Sequence, residues 1–213
     1  MMTGPMRLRI LFSKTEAMRY TGHLDLHRSW ERTFRRSRLP LAYSQGFHPQ
    51  PRINLACALP LGFTSQAELV DIWIEDTLPI ENIQAALERA VPPGIQIHSI
   101  QSVDLRLPSL PSQVQAVEYD ILFLEETPDL QPRLEALLGS ASLVRERREK
   151  TYDLRPLIEE ISLLPPDPSG HCRLYVRLTA QVGATGRPEE LLSALGYDPA
   201  STRVHRTKII SKE

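Results

Sequence analysis

"AELVDIWIEDTLPIENIQAALERAVPPGIQIHSIQSV" (Ala67–Val103) changes its hydrophobic period twice within one stretch. Ala67–Glu75 reads as a strand. "PIENIQAALERAV" reads as an amphipathic helix, with Ile83, Ala86, Leu87 and Ala90 turned inward at helical spacing. Ile95–Val103 alternates again and reads as a strand. Upstream, "RLRILFSK" (Arg7–Lys14) puts Leu8, Ile10 and Phe12 on one face of a strand. His23–Arg38 reads as a helix whose apolar stripe is Leu26, Trp30 and Phe34, ended by Pro40. "INLACAL" (Ile53–Leu59) is a further strand, separated from Ala67 by the loop "PLGFTS". The order is β-α-β-β-α-β, which predicts a ferredoxin-like unit.

The same order fits the second half. Val117–Glu125 reads as a strand and Asp129–Gly139 as a short helix ended by glycine. Leu143–Leu164 contains a strand to about Leu154, followed by a segment readable as strand or helix. His171–Thr179 alternates. Arg187–Gly196 has proline in its first helical turn, and Ser201–Ser211 is the final strand. The fold class is therefore α+β, with tandem ferredoxin-like (βαββαβ) units and antiparallel sheets. The expected domains are residues 1–104 and 117–213. The Pro- and Ser-rich residues 105–116 lie between them as a linker or crossing strand.

An apolar fraction of 41% and a charged fraction of 24% are ordinary for a globular protein. Cys57 and Cys172 form no CxxC pair, so a zinc ribbon or iron–sulfur cluster lacks its ligands, and both read as buried free thiols. No stretch approaches the roughly 20 apolar residues of a membrane span, and the expected location is cytoplasmic.

Net charge is −1, but it is unevenly distributed. Between Lys14 and Arg52 stand Lys14, Arg19, Arg28, Arg32, Arg35, Arg36, Arg38 and Arg52, against Glu16, Asp25 and Glu31. Arginine forks onto phosphate and stacks on bases, so Arg28, Arg32, Arg35, Arg36 and Arg52 are candidate nucleic-acid contacts. The bland alternative pairs them with carboxylates on a solvated helix face. Behind the helix, "YSQGFHPQP" (Tyr43–Pro51) joins Gly46 to Pro49 and Pro51, which predicts a pre-shaped loop. Such a loop displays Phe47 and His48 to a base, unless Phe47 plugs the core edge. His23 and His27 are one helical turn apart, the spacing of two metal ligands, but no third ligand presents itself, and a cap or packed role fits His23 better. Arg145–Lys150 is a second basic run, read as a solvated face. No complete catalytic constellation is present, and no cofactor is implied.

The chain resembles the radical-SAM-linked protein family, bacterial proteins of unknown function fused to, or encoded beside, radical SAM enzymes. The resemblance rests on "GHLDLHRSWERTFRRSRLPLAYSQGFHPQPRINLACALPLGFTSQAE" (Gly22–Glu68), "KTYDLRPLI" (Lys150–Ile158), "GRPEELL" (Gly186–Leu192) and "RTKII" (Arg206–Ile210). It marks His23, Asp25, Arg32, Arg35, Arg36, Leu39, Pro40, Ser44, Gly46, Phe47, Pro49 and Pro51, and in the second half Asp153 and Arg155. Gly22 stands where the family usually has serine. The three-cysteine cluster motif of a radical SAM core is absent, so the resemblance implies that the catalyst is a separate polypeptide and that the setting involves RNA. The expected function is a non-catalytic RNA-binding accessory presenting tRNA, rRNA or a ribosomal intermediate to that enzyme, with no membrane partner. Two alternatives stay open. One is a protein-docking module without RNA. The other is a metal-independent endoribonuclease similar in element order to CRISPR repeat-associated enzymes, with His23 or His48 as general base.

Overall fold

Trp30 organises the first half of the molecule. In the computed structural model, which describes residues 4–147 and 149–212, its ring meets Phe12 edge-on at 4.8 Å and stacks on Phe34 at 5.1 Å. Phe12 belongs to β1 (Met6–Lys14), Trp30 and Phe34 to α1 (His23–Ser37). The alternation of β1 and the four-residue spacing in α1 thus place one apolar row of each element in the same core. Arg38 takes a left-handed conformation with φ 57° and closes the helix two residues ahead of Pro40. Gly22 supplies no capping side chain; its carbonyl accepts from the Leu26 N–H at 2.9 Å.

The chain divides into two units, Met1–Gln113 and Val114–Glu213. In the first, β2 (Ile53–Leu55), β3 (Thr64–Ile74), α2 (Ile80–Glu88) and β4 (Ile95–Val103) follow α1. The strands pair antiparallel in the order β2-β3-β1-β4. Residues 56–59, expected to extend β2, lie outside it. Residues 105–116 contain the short helix α3 (Leu110–Gln113), after which Val114 opens the next strand, in place of a plain linker or crossing strand.

The second unit holds β5 (Val114–Phe123), α4 (Leu130–Gly139), β6 (Val144–Arg147), β7 (Lys150–Asp153), β8 (Ile158–Leu164), β9 (Arg173–Gln181), β10 (Ala184–Thr185), α5 (Pro188–Ala194) and β11 (Thr202–Ser211). Four strands pair antiparallel as β8-β9-β5-β11, with β10 added to β9. The expected strand up to Leu154 is in fact the separate hairpin β6–β7, and the ambiguous segment after it is a strand. The fold is α+β and resembles a ferredoxin-like arrangement. No helix of the described residues is long and apolar enough to cross a membrane. Cys57 and Cys172 are not disulfide-bonded and are half-buried, less enclosed than their apolar neighbours suggested.

Candidate functional site

The basic helix and the loop behind it are physically joined. Helical spacing puts Arg28, Arg32 and Arg35 on the side of α1 opposite Leu26, Trp30 and Phe34, and all three are exposed. The Arg35 guanidinium lies over the Tyr43 ring, 5.8 Å from its centroid. Tyr43 forms an isolated bridge with Pro51. Just inside it, the Ser44 N–H donates to the Gln50 carbonyl at 2.8 Å, and the Gln50 N–H donates to the Ser44 hydroxyl at 3.0 Å. The Arg52 N–H donates to the Ala42 carbonyl at 2.9 Å, so three hydrogen bonds between Ala42–Ser44 and Gln50–Arg52 close the loop at its base. Gly46, at φ 129°, occupies a conformation that favours glycine at the tip.

Phe47 stands on that tip with relative exposure of 101%, as open as an isolated residue. It does not plug the core. His48 beside it is also exposed. A large apolar ring wholly in water forgoes the roughly 1.5–3 kcal/mol that burial returns.

The arginines differ in their present engagements. Arg28 pairs with Asp25 at 3.2 Å and Arg35 with Glu31 at 2.9 Å, both within the helix. Such exposed pairs contribute about 0–1 kcal/mol. Arg32 has no ion pair among the described residues. Arg36 donates at 2.5 Å to the Ala90 carbonyl, beyond the end of α2, and so supports helix packing. Arg52 is separate from the helix face. It lies 4.8 Å from the Trp73 centroid, and Arg7 lies 4.8 Å from the same centroid. Register places Trp73 opposite Arg7, on the sheet face that carries Arg9 and Asp71 and not the Leu8–Ile10–Phe12 row.

That second face is not open. Asp71, fully buried, accepts from Arg7 at 2.6 Å and from Arg9 at 2.8 Å. Arg7 also donates to the carbonyls of Leu107 and Pro108 at 2.6 and 2.8 Å, and Arg9 to Gln113 at 3.1 Å. Residues 105–113 thus cover part of the sheet. Arg106 donates through its side chain and its backbone N–H to Asp104 and holds that carboxyl down at about 2. Between this cover and the loop base runs a cleft of about 390 Å³, lined by Ser44, Gln50, Arg52, Asn54, Trp73 and Ser109 among others. Trp73 and the Arg7–Asp71–Arg9 group were missed in the sequence. Their signal was present: one carboxylate, Asp71, interrupts the apolar run "LVDIWI", opposite a strand that alternates arginine with leucine and isoleucine.

His23 and Asp25 sit in the first turn of α1. No group of three His, Cys, Asp or Glu among the described residues could hold a metal ion. Asp153 and Arg155 belong to the other unit. Asp153 accepts the N–H groups of Leu143 and Arg155 at 2.7 and 2.9 Å, which lowers its pKa from the ordinary value. Arg155 donates to the Leu138 carbonyl at 3.3 Å. Asp153 fastens the base of the β6–β7 hairpin, and Arg155 ties the residues after it to α4. Of the basic run Arg145–Lys150, Arg148 lies outside the described residues.

A family model described as "Uncharacterized protein conserved in bacteria (DUF2344)" matches residues 7–188. No curated protein sequence matches the chain. Among solved structures, it is similar to a chain of "Crystal Structure of a Cbf5-Nop10-Gar1 Complex". The identity is 7%, the TM-score is 0.50, and the match covers 95% of this chain and 48% of that one. This chain thus spans about half the length of the one it matches, and the likeness is one of fold. A second match is the acetolactate synthase small subunit of Thermotoga maritima, with 10% identity and coverage of 98% and 96%. Its TM-score of 0.26 carries no argument.

Proposed function

The chain belongs to that conserved bacterial family, and from this premise we propose that it is a non-catalytic RNA-binding accessory. The observation that carries the reading is Phe47, fully exposed at the tip of a loop whose base is closed and touched by an arginine of the basic helix. Stacking of a base on an aromatic ring contributes about 1–3 kcal/mol, and guanidiniums track the phosphates alongside it. Arg28, Arg32 and Arg35 supply those charges, Arg52 contacts a nucleotide that enters the Trp73 cleft, and His48 adds a hydrogen bond at the tip. Arg36 steadies the helix from the side of α2. The two units descend from a tandem ferredoxin-like duplication, in keeping with their matching strand orders. The presented RNA is a tRNA, rRNA or ribosomal intermediate, and the resemblance to radical-SAM-linked proteins names the enzyme that receives it.

The test is a salt titration of binding to tRNA and to an oligouridylate, for wild type and for Arg28→Ala combined with Arg32→Ala. Loss of two phosphate contacts flattens the log–log salt slope by about 1.4–1.8. An unchanged slope with unchanged affinity overturns the reading.

The second reading, protein docking, is favoured by Tyr20, Leu24 and Leu61, all largely exposed apolar residues. Retention of a protein partner after nuclease treatment, lost on Leu24→Asp, supports it.

A further inference from the structure

The two motif stretches of the second unit, Lys150–Ile158 and Gly186–Leu192, meet at one cleft. Its volume is about 590 Å³, within the range of small-molecule pockets. It is lined by Arg147, Lys150, Tyr152, Leu157, Ala184 and Arg187, with Thr151, Thr185, Gly183 and Asp153.

The hairpin builds one side of it. Cross-strand partners share a face, and register pairs Arg145 with Tyr152 and Arg147 with Lys150. Two cations directly opposite each other destabilise a hairpin, and among the described residues no ion pair relieves Arg147, Lys150 or Arg187. Asp153 is the one carboxylate in the lining. Two backbone N–H groups on its Oδ1 hold it ionised, so it sets one negative charge against the three cations of the lining. From α5, Glu189 acts on Arg147 and Tyr152 and Glu190 acts on Tyr152, neither lining the cleft, and burial pushes the Glu189 carboxyl up, toward its neutral form. The Tyr152 hydroxyl and the Arg145 Nε are buried with no hydrogen-bond partner. Buried donors without partners are uncommon and costly in a finished fold. Three cations, the unpartnered hydroxyl of Tyr152 and an apolar wall of Leu157 and Ala184 are the chemistry of an anion attached to a flat or apolar body.

We propose that this cleft binds one phosphate-bearing molecule of nucleotide size, its phosphate held by Arg147, Lys150 and Arg187 and its remaining body against Tyr152, Leu157 and Ala184. The phosphate comes either from a free nucleotide or from the phosphorylated end of an RNA strand. None of these residues belongs to the helix-and-loop site, so this proposal stands or falls independently of that one.

The experiment is calorimetric titration of the full chain with four probes: AMP, adenosine, and one short oligoribonucleotide with and without a 5′ phosphate. AMP binding with no adenosine binding is expected. Arg147→Ala combined with Lys150→Ala weakens it at least tenfold. Thr185→Trp, an exposed position on the lining, blocks it while leaving every cation in place. Tighter binding of the 5′-phosphorylated than of the unphosphorylated oligonucleotide, with no AMP binding and with the difference abolished by Arg147→Ala combined with Lys150→Ala, assigns the phosphate to a strand end. Equal binding of AMP and adenosine, or no binding of any phosphorylated probe, overturns the proposal. So does AMP binding unaffected by both variants.

Discussion

Each unit must carry the chain from its first helix to its next core strand, and the two do this differently. In the first unit the crossing is residues 38–52, a closed loop with glycine at the tip and an aromatic ring in water. In the second it is residues 140–157, a two-stranded hairpin fastened by Asp153. The helices differ in parallel. α1 has 15 residues and turns arginines outward, whereas α4 has 10 and its Arg133 donates back to the carbonyls of Leu195 and Gly196. The same step in the topology thus yields a displayed surface in one unit and a lined cleft in the other. Connections between core elements are where chemistry varies, because the sheet constrains them only at their ends.

The sharpest way to break this comparison is to remove the support under the first crossing. Asp71→Ala leaves Arg7 and Arg9 buried without their carboxylate and costs about 3–5 kcal/mol, read by chemical denaturation. A loss under 1 kcal/mol means the arginines find water instead. Next in size is Phe47→Ala. It lowers RNA affinity by the equivalent of about 1–3 kcal/mol and leaves thermal stability unchanged, since the ring is fully exposed in the free protein. A fall in melting temperature shows that the ring packs in solution, and the contrast between the crossings weakens. Arg35→Ala removes the contact to Tyr43 and costs the loop about 0.5–1 kcal/mol, seen as faster amide exchange at Ser44 and Gln50. The smallest effect belongs to the hairpin. The Asp153 pKa is lowered in the folded state, so its contribution is complete above the ordinary value of 3.8 and disappears as pH falls through the folded value. Asp153→Asn therefore melts earlier than wild type at neutral pH, and the gap closes on acidification toward pH 2. A constant gap assigns the effect to shape and not charge.

Periodicity made most of the elements legible. The row Leu8–Ile10–Phe12 and the stripe Leu26–Trp30–Phe34 needed nothing beyond spacing, because each element buries one face. The hairpin was harder. Glu146 and Arg147 pair with Thr151 and Lys150, so both strands are polar and neither period stands out. The four-residue α3 is too short to show a stripe. Around α1 and its loop, a shaped turn was readable from Gly46, Pro49 and Pro51, and the exposed side of α1 from its arginines. The engagements of Arg36 with Ala90 and of Arg52 with Trp73 were not, since both depend on which distant backbone the fold brings near.

The chain has two tryptophans, and they sit in opposite circumstances. Trp30 is sealed between Phe12 and Phe34, while Trp73 is flanked by two guanidiniums in the lining of the loop-base cleft. Intrinsic fluorescence therefore comes with a built-in reference. A guest that draws Arg52 away changes the emission of Trp73 alone, so occupancy of the first unit can be followed optically without attaching a dye.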